Sequence, residues 1–126
     1  MMLQEIYKHD PWKMLVGCIL LNQTTRTQVD KVREELFSIW PTATEMGSAD
    51  PSNLAAVIKS LGLYNRRAKT LIKFSQDWTR RNWKEPIELH GIGKYAQDSW
   101  EIFQKNNFSV IPTDKELINY LALLNK

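Results

Sequence analysis

Apolar residues run almost without relief from Met14 to Leu21, directly after Asp10-Pro11. An aspartate able to cap, followed by proline at the first helical position, opens a helix, and a helix apolar on every side belongs in the middle of a core. From Gln28 to Trp40, the residues Val29, Val32, Leu36, Phe37 and Trp40 recur at three- and four-residue spacing, which predicts an amphipathic helix ended by Pro41. Asp50-Pro51 repeats the cap-plus-proline device, and Leu54, Val57, Ile58 and Leu61 follow before Gly62 supplies a left-handed stop. A helix over Asn65 to Trp83 would turn Ala68, Leu71, Ile72 and Trp78 inward and its basic residues outward.

Pro86-Ile87-Glu88-Leu89 reads as a short helix, His90-Gly91-Ile92-Gly93 as a tight turn, and Lys94 to Gln104 as another helix. Thr113-Asp114-Lys115-Glu116 carries threonine and glutamate at capping-box spacing before a last apolar run, Leu117 to Leu124. No segment alternates apolar and polar as a strand would. The expected architecture is all-α, about seven or eight helices packed around two apolar ones in a single domain over 1–126. The last helix stops abruptly at Asn125-Lys126, so a shortened C-terminus is expected.

Composition changes this picture little. With 126 residues and 43% apolar content, one domain can bury a core without disulfide staples. Cys18 is the only cysteine and lies within the apolar run, where it reads as a small buried hydrophobe; no basic neighbour would turn it into a thiolate. One cysteine excludes a cysteine-ligated zinc or iron–sulfur centre within these residues, and no metal or cofactor is expected. No apolar run reaches the length of a membrane span, and Met1-Met2-Leu3-Gln4-Glu5 lacks the order of a signal peptide.

Charge narrows the field of partners. A net +3 and a pI near 9.0 permit a polyanionic partner without demanding one. The basic residues gather in Arg66-Arg67-Ala68-Lys69, Lys73 and Arg80-Arg81-Asn82-Trp83-Lys84. A solvated helix face is the alternative explanation of such clusters.

Candidate chemistry sits in Leu89-His90-Gly91-Ile92-Gly93-Lys94-Tyr95 and, some way downstream, in Asp114. A Gly-x-Gly turn leading into a helix offers unblocked N–H groups and a positive helix end to a phosphate, because glycine carries no Cβ to hold the ligand away. Backbone contacts of this kind fix register on DNA without reading sequence. Close helix packing is the alternative reason for the two glycines, and capping of the last helix is the alternative role of Thr113 or Asp114.

These residues resemble the helix-hairpin-helix DNA glycosylases, the superfamily of endonuclease III and the adenine glycosylase of mismatch repair. The likeness is greatest to the glycosylase domain of methyl-CpG-binding thymine glycosylases. It extends through His9-Asp10-Pro11-Trp12-Lys13, Leu21-Asn22-Gln23-Thr24, Leu61-Gly62-Leu63-Tyr64, Arg67-Ala68-Lys69-Thr70, Trp83-Lys84 and Pro86 to Tyr95, in order and spacing over nearly the whole chain.

The resemblance implies a two-lobed helical fold without an iron–sulfur cluster. It also implies removal of thymine or uracil from opposite guanine after the nucleotide is rotated out of the duplex, which costs a few kcal/mol, least at a mismatch. By the same likeness Asp114 is the catalytic carboxylate, and the base pocket comprises Gln4, Tyr95 and Lys115. The DNA contacts are Gln23 as the plug of the vacated stack, Leu63 as the wedge, and His90, Gly91, Gly93 and Lys94 of the hairpin. Leu63 has core burial as its alternative, and Gln4, so near a terminus, has disorder.

A carboxylate beside the positive charge that builds on the sugar stabilises it by roughly 4 kcal/mol at 4 Å in an effective dielectric near 20, about a thousandfold in rate. Tyr95 stands where the bifunctional relatives carry the lysine that forms a Schiff base, and Lys94 is one position too early, so hydrolysis without strand cleavage is expected. Glu116 replaces a lysine of the family pattern and leaves the identity of the base open. The expected partner is duplex DNA with G·T or G·U mismatches, bound by a monomer without membrane association, in the nucleus of a eukaryote or the nucleoid-containing cytoplasm otherwise. A non-catalytic helix-hairpin-helix DNA-binding module is the alternative, and a helical protein-interaction domain a third reading.

Overall fold

A computed structural model describes residues 1–125, and within them every regular element is helical. In chain order these are α1 (Leu3–Ile6), α2 (Pro11–Leu21), α3 (Arg26–Ile39), α4 (Ala43–Gly47), α5 (Pro51–Val57), α6 (Tyr64–Arg80), α7 (Lys94–Phe103) and α8 (Lys115–Leu124). Single 3₁₀ turns at Lys59–Leu61 and Pro86–Glu88 precede α6 and the hairpin.

The apolar α2 is the centre of the molecule, as its sequence predicts. Asp10 caps it by accepting from the Lys13 N–H at 3.1 Å, and Pro11 takes the first position. Trp12, Met14 to Leu20 and their neighbours are buried against α1, α3, α6 and α7. Trp12 also donates its indole N–H to Ser75 at 3.1 Å, which satisfies a polar atom that burial would otherwise penalise. On one side α4 and α5 lie against α6, with α3 against α5; on the other α1 and α7 meet. Leu117 and Leu121 of α8 enter the core, and Tyr120 packs on Phe103 with ring centroids 4.8 Å apart.

Four boundaries differ from the sequence expectation. The α3 helix begins earlier, because Thr25 and Gln28 form a reciprocal capping box. The α6 helix ends at Arg80 rather than Trp83: Arg81 turns left-handed, and Trp83 folds back to donate to the Trp78 carbonyl at 3.1 Å. Asp114, not Thr113, caps α8 by accepting from the Leu117 N–H at 3.0 Å. The predicted helix after Asp50-Pro51 breaks at Ile58 into a 3₁₀ turn before Gly62. The short α1 and α4 were not predicted, since four or five residues carry no period. Lys126 lies outside the described residues.

Candidate active site

A cleft of about 1660 Å³ opens where α1, the end of α2, the start of α6, the hairpin and the start of α8 converge. Gln4, Gln23, Leu63, His90, Gly91, Gly93, Lys94, Tyr95 and Asp114 all line it. Lys115 does not. At the start of α8, the extended cap residue Asp114 and Glu116 of the first turn reach the cleft, while the exposed Lys115 between them lies off it. The side chain expected to contact the base, Lys115, thus lies outside the cleft lining, and Glu116 is present there instead.

The cleft floor is a polar network in a dry setting. Gln4, far from disordered, is 1% exposed, and its amide Nε2 donates to Tyr95 Oη at 2.7 Å and Ser99 Oγ at 3.1 Å. Ser99 in turn donates to the Tyr95 carbonyl one helical turn back at 2.9 Å. Gln4 Nε2 is thereby used up. Its Oε1 and the phenolic hydrogen of Tyr95 are left as an acceptor and a donor. Burial raises the Tyr95 phenol above its ordinary range, with Cys18, Asp114 and Glu116 adding and the Gln4 hydrogen bond opposing, so it stays neutral. Cys18 beneath it is pushed up to about 12, chiefly by burial, with the Ser99 hydroxyl opposing and Asp114 adding; it is an inert thiol.

Asp114 has one oxygen on the Leu117 N–H, while the other accepts from no described residue. The segment that carries it is tied down by Lys94, whose ammonium donates to buried Asp98 at 2.9 Å and to the Ile111 carbonyl at 3.1 Å. The Lys94 side chain is thus engaged within the protein, and its backbone N–H is what it offers to a ligand.

The two hairpin glycines act differently. Gly91 has φ +83, and a Cβ there would lie 2.7 Å from Thr70 Cγ2, so both backbone and packing demand glycine. Gly93 has an extended φ of −110 and nothing within 4 Å of a would-be Cβ; its missing side chain leaves the approach to the α7 amides open. The N–H groups of Gly91, Gly93 and Lys94 find no acceptor among the described residues. The His90 N–H is already taken, donating to Asp77 at 3.0 Å, so His90 can serve a ligand only through its exposed side chain. Arg80 braces that carboxylate at 3.1 Å.

Two loops face the hairpin across the cleft mouth. Gln23 is exposed with φ 60, and Leu63 is 57% exposed with φ 47, which settles Leu63 as a rim residue rather than core. Arg66 and Lys69 on the first turns of α6 are exposed at the same opening. Arg67 departs from the expected outward basic face: it is buried, and it donates to the Gly62 and Asn22 carbonyls. Ser99, Asp98, Asp77 and Arg67 were missed in the sequence. The i,i+4 spacings Tyr95–Ser99 and Lys94–Asp98 on one helix were the available signals for the first pair; the others have no local one.

Residues 16–124 match the model of the HhH-GPD superfamily base excision DNA repair protein. The chain is 38% identical over 122 residues to a methyl-CpG-binding domain protein 4-like protein of Arabidopsis thaliana, covering 94% of this chain and 27% of the relative. It is 34% identical over 94 residues to a thymine/uracil-DNA glycosylase of Pyrobaculum aerophilum, covering 69% of this chain and 41% of the relative. It superposes on the structure of a thermostable thymine-DNA glycosylase with a TM-score of 0.71 and 26% identity, over 80% of this chain and 51% of that one. The chain therefore spans about half or less of the length of these relatives. With its all-helical core, its hairpin of open amides and a match over nearly its whole length, the chain belongs to the HhH-GPD superfamily of base excision DNA repair proteins.

Proposed function

We propose that the chain is a monofunctional DNA glycosylase that hydrolyses the N-glycosidic bond of thymine or uracil opposite guanine in duplex DNA. The open amides of Gly91, Gly93 and Lys94 at the positive end of α7 hold one backbone phosphate. Arg66 and Lys69 add sequence-independent attraction. The target nucleotide turns into the cleft while Gln23 fills the vacated stack and Leu63 presses beside the unpaired guanine.

One observation carries the choice of base. With Gln4 Nε2 occupied by Tyr95 and Ser99, the floor presents an acceptor beside a donor. Thymine and uracil carry an N3–H flanked by carbonyl oxygens, which meets that pair at N3; cytosine, with an acceptor at N3, meets it only when shifted to place its N4 amino group against Gln4. Asp114 sits at the same cleft and offers a free carboxylate oxygen to the sugar. As the C1′–N1 bond breaks, its electron pair leaves with the base and positive charge grows on the sugar, where the carboxylate stabilises it. Water adds at C1′, and its proton passes by way of Asp114 to the departing base anion. Tyr95, a neutral phenol, cannot form the imine that strand cleavage requires, so the product is an abasic site.

The Asp114 cap on α8 equally suits a DNA-binding module without chemistry. Asp114→Asn separates the two, because asparagine caps a helix as well as aspartate does but carries no charge. Free base released from G·T, G·U, A·T and A·U duplexes is the measurement. Release from the guanine mismatches, reduced about a thousandfold in Asp114→Asn with unchanged duplex affinity, is expected. Equal release by the two proteins, or binding with none from either, contradicts the proposal.

A further inference from the structure

Arg67 is the one member of its basic run that leaves solvent: it is 8% exposed, while Arg66 and Lys69 beside it are exposed. Removing a guanidinium from water is strongly unfavourable unless its donors are used. No carboxylate pairs with it among the described residues. Two backbone carbonyls do the work instead: Nε donates to Gly62 O at 2.9 Å and Nη1 to Asn22 O at 2.9 Å.

Each of those carbonyls belongs to the peptide unit that leads into a left-handed residue. Asn22 O precedes Gln23 at φ 60, and Gly62 O precedes Leu63 at φ 47. A side chain in that region is strained, and the conformation persists where surrounding contacts over-determine it. All four left-handed non-glycine residues of the described chain follow helix ends, Gln23 after α2 and Leu63 after the Lys59–Leu61 turn, but only before Gln23 and Leu63 does a described side chain hold the carbonyl. Gln23 and Leu63 stand on different loops, brought together at the cleft mouth and joined through one planar fork of donors.

We propose that Arg67 is a positioning residue that locks the Asn22–Gln23 loop and the Gly62–Leu63 loop into one rigid unit, so that plug and wedge enter the duplex together. The clamp is a property of the free protein; the entry into DNA rests on the function proposed above. Lysine preserves the charge but offers a single ammonium that cannot span both carbonyls, and methionine removes charge and donors while keeping a similar stem.

Amide hydrogen exchange of the free protein tests the clamp directly. The Thr24 N–H on Leu21 O and the Gly62 N–H on Lys59 O report on the two loops, and the Leu36 region of α3 reports on global stability. Arg67→Lys and Arg67→Met are expected to speed exchange about tenfold or more in both loops at once, with α3 unchanged. Loosening of one loop only, of neither, or of all three regions alike overturns the proposal.

Binding to a G·T duplex supplies the second arm. Gln23→Ala and Leu63→Ala should be non-additive in the parent protein and additive in Arg67→Lys. Additivity already in the parent overturns joint entry while leaving the clamp standing. A chain with no base-releasing activity leaves both arms readable, because neither depends on turnover.

Discussion

The hairpin and the pair of loops opposite it face the same cleft but are built in opposite ways. At Gly91 and Gly93 the chain works by omitting side chains: one glycine takes a left-handed backbone and a packing space that a Cβ would strain together, and the other leaves amides uncovered. At Gln23 and Leu63 the chain keeps its side chains, accepts left-handed backbone, and holds it with a buried guanidinium. A phosphate is the same at every nucleotide and needs only donors, whereas a gap in the base stack must be filled by atoms. Under the proposed function, non-selective grip falls to the hairpin and mismatch sensing to the loops.

The largest expected effect on stability comes from breaking the hairpin backbone. Gly91→Ala meets both a strained left-handed φ and a 2.7 Å contact with Thr70, and is expected to cost at least about 2 kcal/mol in chemical denaturation. Leu63→Gly has the opposite sign. It relieves the left-handed strain of an exposed residue, so stability should hold or rise by about 0.5 kcal/mol while affinity for a G·T duplex falls and affinity for a matched duplex does not. Gly93→Ala is the smallest in stability, within about 0.5 kcal/mol, because its φ is ordinary and its surroundings are open. It should weaken matched and mismatched duplexes alike in a titration. Equal behaviour of Leu63→Gly and Gly93→Ala toward the two duplexes would erase the distinction between grip and sensing.

What the sequence showed and what it hid divide along the same physical line. Caps and periods are local, so Asp10-Pro11, Asp50-Pro51 and the apolar faces of α2 and α3 placed the central helices correctly. The Gly91–Gly93 turn was visible for the same reason. The family resemblance supplied Gln4, Gln23 and Leu63, which local patterns alone would have left as a frayed end, an ordinary loop and a core residue.

Tertiary pairings were not legible. Gln4 is buried because Tyr95 and Ser99, on the far side of the sequence, accept from it. Arg67 looks like its basic neighbours until two loop carbonyls are seen to hold it. Lys115 and Glu116 differ by one step around α8, a rotation no spacing argument resolved while the cap stood open between Thr113 and Asp114.

The central claim is that this cleft cuts the base from the sugar and leaves the strand intact. A single-turnover reaction on a duplex with one G·U or G·T mismatch, divided into portions with and without hot alkali, tests it most directly. Strand breaks confined to the alkali-treated portion, and lost in Asp114→Asn, are the predicted result. Breaks without alkali would contradict the role assigned to Tyr95, and no breaks in either portion would contradict the glycosylase itself.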